Sequence, residues 1–69
     1  MKTWLYRVEM LGYESVSGQL RAPNKLSAEA LAVLLFEQTN DIAAVEDESI
    51  AERIQFYGPK VKPCEHGGI

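Results

Sequence analysis

Cysteine and histidine each occur once in these 69 residues, at Cys64 and His66. One cysteine cannot close an internal disulfide, which fits a reducing compartment and denies a small chain its usual covalent staple. A structural zinc site needs four ligands, so two carboxylates would have to join this Cys–His pair, and a solvated segment is the simpler reading. A nucleophilic cysteine needs a base and an orienting group held in place, which a segment rich in Pro, Gly and charge does not provide. No metal, cofactor or catalytic residue is expected, and the chain is not read as an enzyme. No apolar run approaches the ~18–20 residues that cross a bilayer. The opening "MKTWLYRVEM" places Tyr6, Arg7 and Glu9 where a signal peptide carries its apolar stretch. A soluble, cytoplasmic chain without membrane contact is therefore expected.

Basic charge is also scarce. Seven Lys and Arg stand against ten Asp and Glu, a formal net charge of −3, which does not favour a nucleic-acid surface. There is no glycine-rich phosphate loop and no basic stripe interleaved with aromatics, so direct nucleic-acid binding is not expected. The charge is uneven along the chain. Residues 27–54 hold seven acids (Glu29, Glu37, Asp41, Glu46, Asp47, Glu48 and Glu52) against Arg53 alone.

Hydrophobic residues make up 46%, enough for a folded domain. A chain of this length buries only about 60% of the surface its unfolded form exposes. A single core of this size supplies about 3–5 kcal/mol, and natural proteins on this scale often add a metal, a disulfide or a partner chain.

Alternation over Thr3–Leu11, with Trp4, Tyr6, Val8 and Met10 on one face, predicts a half-buried strand. Gly12, Tyr13 and Glu14 form a turn, and Ser15–Ala22 a second strand of the hairpin. Pro23 ends it. Ser27 reads as a helix N-cap, with Leu26 and Leu31 as a hydrophobic staple and Glu29 in the first turn. The helix runs to about Gln38 and stops over Thr39–Asp41. Ile42–Glu46 reads as a strand. Arg53–Tyr57 is ambiguous: Ile54 and Phe56 alternate as in a strand, while Ser49 and Glu52 match a capping box with Ile50 and Ile54 on one helical face. The strand reading is adopted. Gly58 and Pro59 close the domain.

The expectation is an α+β fold: a small antiparallel sheet of three to four strands in ββαββ order, one helix across one face, over residues 1–58, with 59–69 a flexible tail. The bare face of the sheet would show Arg7, Glu9, Ser17, Gln19 and Arg21.

Within the helix, Ala30 to Phe36 is an unbroken apolar run. With Ala28, Leu31, Leu34 and Leu35 turned to the sheet, Ala30, Val33 and Phe36 project sideways or outward. Such leftover apolar surface marks a contact site; the alternative is that the C-terminal segment folds over Phe36. Tyr13 and Tyr57 are candidate interface anchors. Glu46, Asp47 and Glu48 form an acidic surface able to dock an Arg-rich partner. The function expected is a small non-enzymatic protein-binding module. One concrete form is a phage- or plasmid-borne inhibitor of a larger host complex such as a defence nuclease. The working residues would be Tyr13, Val33, Phe36, Glu46, Asp47, Glu48 and Tyr57. A homodimeric structural protein, with the helix paired against its symmetry mate, is the alternative.

A ββαβ core followed by Gly67 and Gly68 also resembles the ubiquitin-like and sulfur-carrier proteins. That resemblance implies activation at a terminal diglycine, after removal of Ile69.

Overall fold

The computed structural model describes residues 1–43 and 49–64. Five elements follow in the order β1 (Lys2–Val8), β2 (Val16–Ala22), α1 (Lys25–Thr39), α2 (Ile50–Tyr57) and β3 (Lys60–Pro63). The α+β class holds. The order is ββααβ, and the antiparallel sheet has three strands, arranged β2-β1-β3.

The hairpin forms where alternation placed it, with shorter strands. Residues 9–15 bulge out as a loop closed by the Tyr13 amide donating to the Met10 carbonyl at 3.1 Å. Trp4 pairs with Leu20, Tyr6 with Gly18 and Val8 with Val16. The Tyr6 ring lies across Gly18, where an added Cβ would meet Cε1 at 3.4 Å. The single tryptophan is buried and donates from Nε1 to the Ala22 carbonyl at 3.1 Å.

Helix α1 begins earlier than expected. Asn24, not Ser27, is the N-cap, and its side-chain oxygen accepts from the Ser27 amide at 2.8 Å. The other end closes with Asp41 in the left-handed region (φ 54°) and the Ile42 amide donating to the Glu37 carbonyl at 2.8 Å. This is the αL closure more commonly made by glycine. Asn40 then ties the helix end to the hairpin loop: its Nδ2 donates to the Glu14 carbonyl and its Oδ1 accepts from the Glu14 amide.

Several further expectations are corrected. Arg53–Tyr57 is helical, because caps at both ends decide it: Ser49 Oγ accepts from the Glu52 amide, and Gly58 ends the helix in the left-handed conformation. Residues 60–63 are a strand rather than a flexible tail, and the Cys64 amide donates to the Thr3 carbonyl at 2.9 Å. Val61 turns in to the core, opposite Tyr6. Of the strand expected over Ile42–Glu46, Ile42 and Ala43 are not extended in a sheet, and the rest lies outside the described residues.

The phase of α1 is the largest correction. Val33 and Phe36, expected to project sideways or outward, are both 0% exposed. Ala28 and Ala32 face the sheet with Phe36, packing with Trp4, Ala22 and Val8. Small residues on the helix leave room for the large ones on β1, and bulk is matched across the layer. Tyr57 covers Phe36 from α2, ring centroids 5.1 Å apart, and Tyr13 meets it edge-on at 5.8 Å. The alternative noted from the sequence, a C-terminal segment over Phe36, thus describes what Tyr57 does.

Candidate binding surface on α1 and the β2 edge

With 100° between successive residues, the buried residues Ala28, Ala32, Val33, Phe36 and Glu37 occupy one half of α1. Ala28, Ala32 and Phe36 meet the sheet. Glu37 meets α2, where its Oε2 lies 3.3 Å from Arg53 Nε with both side chains nearly buried. Glu37 Oε1 accepts no hydrogen bond within the described residues. The sequence offered one signal for this pair: Arg53 is the lone cation among the acids of residues 27–54.

The flank of α1 away from α2 carries Ser27, Leu31, Leu34, Leu35 and Gln38, with no charge among them. Leu31 is 38% exposed and Leu34 39%, and Leu35 is half-buried. The expectation that Val33 and Phe36 would be left over from the core is overturned, since both are buried; Leu31 and Leu34, expected to face the sheet, are the partly exposed apolar residues of the helix.

Helix α2 packs on the flank of α1 that carries Glu37, and Gly58 and Pro59 alone join it to β3. Helix α1 meets β2 through Ala28 against Ala22, and its leucine flank lies on the side away from α2. Among the described residues strand β2 is an edge, paired only with β1. In an antiparallel ladder the N–H and C=O of a residue face the same neighbour, and the side alternates along the strand. Thr3 accepts from Cys64 and so faces β3; Trp4, Tyr6 and Val8 face β2. Their partners Leu20, Gly18 and Val16 face back toward β1. The backbone groups of Ser17, Gln19 and Arg21 consequently point outward, along an open edge.

The two edges of the sheet differ. β3 is four residues long, carries Lys60 and Lys62, follows Pro59 and ends at Pro63. Short length, lysine and proline are the devices that discourage strand addition. β2 is seven residues long with no proline or lysine, and Arg21 is its one charge.

The bare face of the sheet shows Arg7, Ser17, Gln19 and Arg21, with Lys60 and Lys62 from β3 and the half-buried Leu5 between strands. Arg7 is paired with Glu9. Gln19 Nε2 reaches across β1 to Cys64 Sγ at 3.9 Å. Phe56, on α2, is 68% exposed and stands edge-on to Tyr57.

Of the residues singled out in the sequence, Tyr13, Phe36 and Tyr57 form one aromatic cluster, with Val33 buried beside it on α1. Tyr13 stays half-exposed and Tyr57 half-buried. Glu46, Asp47 and Glu48 lie outside the described residues, as do His66, Gly67 and Gly68. Among the described residues no group of three His, Cys, Asp or Glu side chains is placed to hold a metal, and no helix is long and apolar enough to cross a membrane. No protein-family model matches the chain, and no curated protein or solved structure does.

Proposed function

We propose that the chain is a small non-enzymatic protein-binding module, working through the leucine flank of α1 and the open edge of β2. One observation carries the reading: Leu31 and Leu34 stand exposed on an uncharged helix flank beside a strand whose outward backbone groups have no partner among the described residues. An apolar helix face fits an apolar partner surface, and an unpaired strand edge fits another strand. Both are features of polypeptide. A phosphate backbone would need cations on this surface, and Arg21 is the only one. In the inhibitor form of this reading, the occupant belongs to a larger host complex, and a phage- or plasmid-type origin supplies the context.

The test is capture of bound protein from a native lysate on the tagged chain. The double variant Leu31→Glu/Leu34→Glu should lose the captured protein, while Lys60→Glu/Lys62→Glu, on the far edge, should retain it. Equal recovery by both variants contradicts this surface.

A further inference from the structure

We infer that the occupant of this surface is a second copy of the chain, joined β2 to β2 in an antiparallel pair centred on Gln19; the inference rests on the binding-module reading above. Three features of β2 and α1 carry it.

The first is the contrast between edges. One side of the sheet is guarded by Lys60, Lys62 and two prolines, and the other is long and bare. A protein that protects one edge and leaves the other open has a use for the open one, because an unguarded edge otherwise invites indiscriminate pairing.

The second is that β2 is complementary to itself. A two-fold axis through Gln19 sets Gln19 against Gln19 of the second copy, and Ser17 against Arg21 in both directions. These are the three residues whose backbone groups point outward, so the register forms three hydrogen-bonded pairs without moving the strand. Arg21 meets Ser17, and the two arginines stay about 13 Å apart along the strands, given ~3.3 Å per residue. On the helix side Leu20 falls opposite Gly18, where no side chain competes for its space, and Val16 opposite Ala22. A shift by one residue would set the outward-facing groups of Ser17, Gln19 and Arg21 opposite residues whose own groups face β1, and lose the ladder.

The third is the helix above. A two-fold axis perpendicular to the sheet keeps both α1 helices on the same face, antiparallel, one over each side of the seam. The flanks that then face each other are the uncharged ones, Ser27, Leu31, Leu34, Leu35 and Gln38. Lys25, Glu29 and Glu37 lie on the other side of each helix. The result is a six-stranded sheet whose outermost strands are the two guarded β3 edges, closed to further addition. The pairing is isologous and ends at two copies.

The test combines sedimentation with cross-linking. From low micromolar to about 0.5 mM, the wild-type chain should pass from monomer toward dimer. Gln19→Cys, in a Cys64→Ser background because Cys64 lies within reach of Gln19, should oxidise to a disulfide-linked dimer. Directly opposed residues in a hydrogen-bonded pair sit about 5.5 Å apart at Cα, within disulfide range. Gln19→Pro removes an amide that faces away from β1 and has no acceptor among the described residues, so it should keep the buried-tryptophan fluorescence of Trp4 while weakening the dimer by at least about 100-fold. Leu31→Glu/Leu34→Glu should do the same from the helix side. A chain that stays monomeric up to about 0.5 mM overturns the inference, as does a dimer that neither cross-links at residue 19 nor responds to Gln19→Pro. If the chain is monomeric but still loses a lysate partner in the leucine variant, self-pairing fails and the binding-module reading stands. If neither dimer nor partner depends on Leu31 and Leu34, both fail.

Discussion

Phe36 joins the two layers. It clusters with Val8 and Ala32 in a core against which Tyr6, Met10, Val16 and Val61 pack, and it takes the rings of Tyr13 and Tyr57. Phe36→Ala should cost about 3–5 kcal/mol. A core of this size supplies about that much in total, so the variant should show no cooperative urea transition followed by Trp4 fluorescence. The Glu37–Arg53 pair behaves differently, because removing one partner leaves the other charged and nearly buried. Arg53→Met alone should cost about 3–5 kcal/mol, and Glu37→Leu/Arg53→Met together much less. A double-mutant cycle in urea reads the difference, and additive effects would mean the pair does not anchor α2. At this scale the sequence was legible on β1, where alternation assigns Trp4, Tyr6 and Val8 to one face. It was not legible within Ala30–Phe36. A run that is apolar at every position has no polar residue to set its phase, so periodicity could not distinguish Leu31 and Leu34 from Val33 and Phe36.

The elements are set by their ends. α1 closes with Asp41 at a left-handed position that glycine adopts without a side-chain clash. Asp41→Gly should therefore stabilise the fold by about 0.5–1 kcal/mol, raising Tm by several degrees in a thermal melt followed by circular dichroism. No rise would mean that the aspartate side chain contributes at the cap. Ser49→Ala should cost about 1 kcal/mol through loss of the cap on the Glu52 amide. The capping pattern at Ser49 and Glu52 and the glycine at 58 were both visible in the sequence. Alternation over five residues competed with them, and short apolar runs satisfy strand and helix patterns alike. β3 was missed for a different reason. Lys60, Val61 and Lys62 alternate as a strand should, but edge-protecting lysines and flanking prolines also give the composition of a loop.

At the scale of the molecule, the question is what covers the apolar surface that one sheet cannot. The structure divides α1 into a half that meets the sheet and α2, and an uncharged flank on the side away from α2. A second copy across β2 would bury that flank and supply partners for Ser17, Gln19 and Arg21 at once. Stability would then depend on protein concentration, with Tm rising on concentration in the wild type and not in Leu31→Glu/Leu34→Glu. Composition and length raised the expectation of a partner chain. The place of contact was not readable, because it depends on strand order and helix phase together, and neither follows from local pattern.

Amide hydrogen exchange along β2 tests the central claim most directly. Gly18 and Leu20 donate inward to β1 and should be protected at every concentration. Ser17, Gln19 and Arg21 point outward, so their amides should exchange rapidly in dilute solution and become as slow as their neighbours at about 0.5 mM. If those three amides exchange at unprotected rates at all concentrations while Gly18 and Leu20 remain slow, the β2 edge is left open by the second copy and the account of the dimer is wrong.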